Sequence, residues 1–296
     1  LVFANTRNER KIDKSLRLPK PLDFGDQDES DSTIDFICEL MGCYREDFNC
    51  YANDRAGQTY SQQLVVEESM PDGTKPVIDL SKLGTAAFEP KNRPQSLKLK
   101  LKLKLKKKVD FCLIVESEGT ANTLVTNGFT KRHDCILIGA QGVPSNAVRG
   151  WCKLIEEQLD VSMSFFGDLD AYTMQNIYRT LKAGSAASLI RNADYSAPNV
   201  RFLVVLPEDI KKYDLLDYPV KENDAQEVRA LKKAADALKN DPFFHDKRNK
   251  GVTQILKWLL ENKRRCEQQA YFTVDPRDPT MPEKIIVDKI RRGEYV

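Results

Sequence analysis

Residues 109–118 read VDFCLIVESE, an apolar run that stops at Glu116. A short apolar run without alternation is the pattern of a strand buried on both faces. Downstream, ANTLVTNGF (121–129) has helical spacing and ends at Gly128, and CILIGA (135–140) is a second apolar run. A helix is expected from about Ser145, with Val148, Trp151, Cys152, Ile155 and Leu159 on one face. VSMSFFGDLDAY (161–172) is a third strand, stopping at Asp168 and Asp170. The helix after it carries Met174, Ile177, Tyr178 and Leu181, and VRFLVVL (200–206) is a fourth strand. Such alternation predicts an α/β fold, a parallel sheet covered by helices on both faces with right-handed crossovers. Two more amphipathic helices are expected outside the sheet, near Ala225–Leu238 and Thr253–Ala270.

Upstream of Val109 lies LKLKLKLKLKKK (97–108). Strict alternation predicts a strand with one leucine face and one lysine face. A linker, or an edge strand whose lysines block edge-to-edge pairing, is preferred over a phosphate-contacting strip. Residues 57–90 alternate and turn (QLVVEES, MPDGTK, PVIDLS), as a small β element does. Before them, Ser30–Asp31–Ser32 offers a helix start, and Ile34, Ile37, Cys38 and Met41 follow at helical spacing before Gly42. Residues 1–30 are irregular, broken by Pro19, Pro21 and Gly25.

The chain has 296 residues, 41% hydrophobic and 30% charged, enough for one large domain with an appendage or for two domains. Its net charge of +2 conceals a basic tract at 91–108 and an acidic one at 23–35. No apolar run is long enough to span a bilayer, and the first residues turn charged at once, unlike a signal peptide. Of seven cysteines none forms a CxxC pair, which argues against zinc and for reduced, buried thiols in a cytosolic protein. A GxxxxGK phosphate loop is absent, so any ATPase would be a partner.

Asp168 and Asp170 are two residues apart, so an extended backbone projects both to one side. Glu116, ending another strand of the same sheet, can supply a third carboxylate. Oxygen-only ligation suits Mg2+, which keeps waters for substrate phosphates, and points to magnesium-dependent phosphate chemistry. The plain alternative is that these acids cap the helices that follow. GAQGVPSNAVR (139–149) is a strand-to-helix turn whose amides and Arg149 can meet a phosphate, or simply a turn.

Taken in order, these stretches resemble the family of type IIB DNA topoisomerase A subunits (topoisomerase VI) and meiotic double-strand-break transesterases. DQDESDSTIDFICELMGCYREDF, VIDLSKLGTAAFEP, LIVESEGTANTLVTNGF, GVPSNAVRGWCKLIEEQL, GDLDAY, GSAASLIRNADYSAPNVRFLVVLPEDI, RRCEQQA and MPEKI carry the resemblance over residues 22–296. It implies a Toprim-type parallel sheet at 109–296, with C-terminal helices. It further implies that 1–96 is the remainder of a winged-helix (CAP-like) DNA-binding domain with a β-wing, and that 97–108 is the linker or edge strand. Glu116, Asp168 and Asp170 match the family's magnesium-holding acids, Arg149 falls at a basic position facing DNA, and Glu118 is an additional acid. Around the pair the family reads Asp-Gly-Asp-Pro, whereas here it is Asp168-Leu169-Asp170-Ala171.

The activity implied by the resemblance is that of an ATP-dependent type IIB topoisomerase, whose A chain cleaves and rejoins double-stranded DNA by tyrosine transesterification. The implied partners are a second A subunit in a homodimer and a GHKL-type ATPase B subunit, with no membrane. The implied location is cytoplasmic, or nuclear in a eukaryote. No tyrosine precedes Tyr44, and neither Tyr44 nor Tyr51 matches the family's nucleophile motif, so the nucleophile is expected upstream of Leu1. The alternatives are a meiotic-type transesterase, a catalytically silent Toprim DNA-binding protein, and a Toprim nuclease or primase. The last leaves residues 22–90 unexplained.

Overall fold

The structure, a computed structural model, describes residues 27–48, 57–70, 72–89, 101–184, 195–221 and 223–296. Helix α1 (Gln27–Met41) buries Ile34 and Cys38 and ends at Gly42, whose φ of 64° only a glycine adopts without strain. The winged-helix expectation depends largely on residues 1–26 and 49–56, which lie outside the described residues.

Strands β1 (Gln58–Ser61), β2 (Leu64–Glu68), β3 (Val77–Asp79) and β4 (Leu101–Leu105) follow. The last three form an antiparallel sheet in the order β3-β2-β4. In β4, Leu101 and Leu103 are buried while Lys102 and Lys104 are exposed, the two faces that alternation predicts. Lys104 pairs with Glu67 at 2.7 Å and Lys106 with Asp79 at 3.0 Å. On the far side of β4, the Gln158 carboxamide accepts from Leu103 N (2.8 Å) and donates to Leu101 O (3.0 Å). This is an edge strand, blunted by charge and by a side chain that occupies its free backbone groups. Residues 97–100 of the repeat lie outside the described residues.

The main sheet begins with β5 (Phe111–Val115), and helices α2 (Glu118–Thr126) and α3 (Phe129–Arg132) lead to β6 (Cys135–Gly139). Helix α4 (Asn146–Gln158) then crosses to β7 (Met163–Gly167). All residues of β5, β6 and β7 are buried, as continuous apolar strands covered on both faces must be. A π-helical turn (Thr173–Tyr178) runs into α5 (Arg179–Ala183), and β8 (Arg201–Val204) completes the parallel set. The sheet order is β1-β6-β5-β7-β8, parallel except for β1. From β5 the chain moves to β6 on one side, and from β7 to β8 on the other. The carboxyl ends of β5 and β7 therefore flank a topological switch point, where open α/β sheets leave a crevice.

Strand β1 joins the main sheet from upstream of the leucine-lysine repeat. It pairs with β6 (Thr59↔Ile138), and Trp151 Nε1 of α4 donates to Thr59 Oγ1 at 2.9 Å. Leu64, Val66, Leu80, Leu101 and Leu103 share the hydrophobic core of the main sheet.

Beyond β8 come α6 (Pro207–Tyr213), β9 (Tyr218–Pro219), α7 (Ala225–Asn240), α8 (Pro242–His245) and α9 (Lys250–Asn262). The helix expected over Thr253–Ala270 is three elements rather than one. Lys263, at φ 50°, ends α9; β10 (Arg264–Arg265) pairs with β9, and a 3-10 turn comes next at Gln268–Thr273. The apolar spacing lapses at Asn262-Lys263-Arg264-Arg265, where the backbone turns left-handed. Helix α10 (Met281–Arg292) closes the fold. No described helix is long and apolar enough to cross a membrane.

Candidate active site

Glu116 directly follows β5, and its amide donates to Phe166 O at 2.9 Å, extending the ladder to β7. Its carboxylate accepts from Thr173 Oγ1 (2.9 and 3.0 Å) and from Asp168 N (3.1 Å). Asp168 Oδ1 accepts from Gln268 N at 2.9 Å, and Asp170 Oδ1 from Thr173 N at 2.6 Å. The three acids named from sequence thus converge at the switch point. Asp170 also fulfils the plain expectation, because its contact to Thr173 N is a helix-capping bond. The intervening Leu169 is buried and pinned by two backbone hydrogen bonds to Cys266 (2.8 and 3.2 Å).

Electrostatically the cluster is unbalanced. Burial, then the charges of Asp168 and Asp170, push Glu116 up to about 8. Burial, with Asp170 adding, pushes Asp168 up to about 6 against the hydrogen bonds from Gln268. Burial raises Asp170 as well, while Thr173 and the charge of Arg265 pull the other way. Like charges gathered out of water disfavour ionisation, and a cation among them restores it. The donor set, carboxylates alone, fits a hard divalent ion, and magnesium uses only one or two carboxylates and keeps its waters. Among the described residues no three His, Cys, Asp or Glu side chains stand close enough together to hold a metal ion as they are placed.

The other sequence candidates fall elsewhere. Glu118 accepts from Gln58 Nε2 at 2.7 Å and so is tied to β1. Arg149 is 6% exposed; its guanidinium donates to Asn146 Oδ1 and lies 5.4 Å from the Tyr195 ring centroid. The turn at 140–142 does border the site, since Ala140 N donates to Val115 O and Gly142 N to Glu116 O, both at 2.8 Å. Those two amides are therefore committed to holding the end of β5.

Sequence reasoning missed Thr173 and Gln268. Thr173 stands three residues after Asp170, the spacing of a capping acid and the amide it accepts from, and that signal was available. Gln268 sits a hundred residues from Asp168, within RRCEQQA, and nothing local marks it.

Residues 111–285 match the family model for the Toprim domain of the topoisomerase 6 A subunits and Spo11. The A subunit of Type 2 DNA topoisomerase 6 from Methanocaldococcus jannaschii is 34% identical over 265 residues, which is 88% of this chain and 68% of that protein. The protein of the same name from Natronomonas pharaonis is 28% identical, covering 83% of this chain and 62% of the relative. That of Pyrococcus horikoshii is 26% identical, covering 92% and 68%. The chain thus spans about two thirds of the length of these relatives.

Proposed function

The chain belongs to the family of topoisomerase 6 A subunits and Spo11, and from that premise we propose that it is the DNA-cleaving subunit of a type II topoisomerase. It acts on double-stranded DNA by tyrosine transesterification at Glu116, Asp168 and Asp170. The observation that carries this reading is the convergence of three half-buried, mutually repelling carboxylates at the switch point of the parallel sheet.

Glu116, Asp168 and Asp170 would hold Mg2+, which when bound supplies charge neutralisation at the scissile phosphate and at the leaving sugar oxygen. The protein's own part is positioning. Thr173 and the Asp168 amide fix Glu116, while Gln268 N fixes Asp168. Leu169, buried and bridged to Cys266, keeps the two aspartates on a defined loop. Thr173 N holds Asp170 at the start of the π-helical turn, a backbone irregularity often found at functional sites. The attacking tyrosine is not assigned to this chain. Attack on phosphorus would exchange a phosphodiester for a phosphotyrosine ester and free a sugar hydroxyl, so resealing is the reverse reaction and needs no new energy source. ATP hydrolysis belongs to a GHKL-type B subunit, and two A subunits act as a homodimer on the two strands.

The test uses the complete protein with its ATPase partner. Asp168→Ala and Asp170→Ala should each lower magnesium-dependent cleavage of supercoiled DNA by at least about a hundredfold, about 2.7 kcal/mol in the barrier. Each variant should remain folded, because the lost backbone hydrogen bond, about 1 kcal/mol, is opposed by relief of the repulsion among the acids. Cleavage at wild-type rate in either variant would remove that aspartate from the site.

A further inference from the structure

Beside Asp170 a cleft of about 550 Å3 opens, a size suited to a small organic ligand. One wall is α7, where Gln226, Arg229, Ala230 and Lys233 recur at helical spacing and so share a stripe. Another carries Tyr172, 48% exposed, and Asn176, from the turn that follows the aspartates. The two are joined by Gln175 Nε2 donating to Ala230 O at 2.8 Å, so the cleft is part of the fold. Leu231 and Leu259 add apolar surface.

The cations differ in how they are matched. Arg264 is paired with Asp217, and Arg265 with Glu227 and Glu267. Arg229 and Lys233 are exposed and have no ion-pair partner among the described residues. Two unmatched cations suit any anion. An exposed aromatic ring, apolar surface and two carboxamides narrow the choice to a ligand with a flat heteroaromatic part and a phosphate.

We propose that this cleft is a subsite for one nucleotide of a DNA strand adjoining the carboxylates, its base against Tyr172 and its phosphate between Arg229 and Lys233. The inference rests on the carboxylate cluster being a DNA-cleaving site and adds a seat beyond the scissile phosphate. A free nucleoside monophosphate carries the same chemistry, and an acidic peptide shares only the charge.

The test is fluorescence anisotropy of a short labelled oligothymidylate with the full chain, with dTMP and an oligoglutamate as competitors. The R229E/K233E variant should bind at least about tenfold more weakly, with a shallower salt dependence. Tyr172→Ala should lose at least about fivefold, through stacking, while R229K/K233R stays close to wild type. Equal affinity in all variants would overturn the subsite yet leave the cleavage reading untouched, because that reading stands on the aspartate variants. Absence of oligonucleotide binding in the wild type would likewise overturn the subsite, while the cleavage reading is decided by the aspartate variants. Competition by dTMP at the oligonucleotide's own concentration would overturn the strand in favour of a free nucleotide. Competition by oligoglutamate with Tyr172→Ala unaffected would overturn it in favour of an acidic partner.

Discussion

A β-carbon built on Gly167 would lie 2.7 Å from Glu116 Oε2, 2.7 Å from Phe165 Cε1 and 2.8 Å from Thr173 Cγ2. All three contacts are well inside van der Waals separation, and two involve the groups that fix the carboxylate cluster. Gly167→Ala should therefore cost about 1–3 kcal/mol by overpacking and displace Glu116. Urea unfolding and a calorimetric Mn2+ titration check this, and unaltered cation affinity would show that Glu116 tolerates the methyl group. The same carboxylate gives a pH prediction. Its folded-state value near 8, against an ordinary 4.5, means that between these limits the folded protein holds a proton that the unfolded chain has released. Stability without a cation is then greatest at the acid end of the window. It falls as pH rises towards 8, by at most about 1.4 kcal/mol per pH unit for one group. Thermal melts in EDTA should show the fall, Mg2+ should oppose it at the alkaline end, and Glu116→Gln should flatten it. An identical slope in wild type and Glu116→Gln would contradict the assignment.

The elements differ in how much of themselves the sequence displays. Strands β5, β6 and β7 were legible because a continuous apolar run bounded by polar residues has few other solutions in an alternating chain. The two faces of β4 were legible from strict alternation, yet its role as an edge was settled by a partner no periodicity reveals, Gln158 on α4. The sheet that strand β1 joins was not legible, because QTYS carries no mark of it; the bond from Trp151 to Thr59 and the register with β6 are long-range facts. Glu116 and the aspartates could be read as site residues, since acids at strand ends stand out against apolar runs. Their supports could not be read in the same way. Gln268 reaches Asp168 only because Cys266 bridges Leu169, a pairing created by the tertiary fold.

Across the whole molecule, that C-terminal support is held by a buried polar knot. Lys289 of α10, 2% exposed, donates to Asp209, to Val204 O at the end of β8 (3.2 Å) and to Tyr271 Oη (3.4 Å). Tyr271 Oη donates to Asp209 at 2.8 Å, and the Leu206 amide donates to the same carboxylate at 2.8 Å. Tyr271 also stacks on Phe166 of β7, with ring centroids 5.9 Å apart, three residues beyond the Gln268 amide that fixes Asp168. Burial lowers the Lys289 ammonium from its ordinary value, and the charge of Asp209 opposes that shift. The pair thus matters for what remains if it is broken. Asp209→Ala would leave a buried ammonium with neutral acceptors only, at a cost of about 3–5 kcal/mol. Replacing both partners by apolar residues, D209L/K289M, removes the unpaired charge and should recover most of that loss. Urea unfolding of the single and double variants gives the coupling directly. If the Gln268–Thr273 turn is the route from this knot to the site, Asp209→Ala should also weaken Mn2+ binding under conditions where the protein remains folded. A double variant no more stable than Asp209→Ala would show instead that the knot acts through shape and hydrogen bonding rather than through charge.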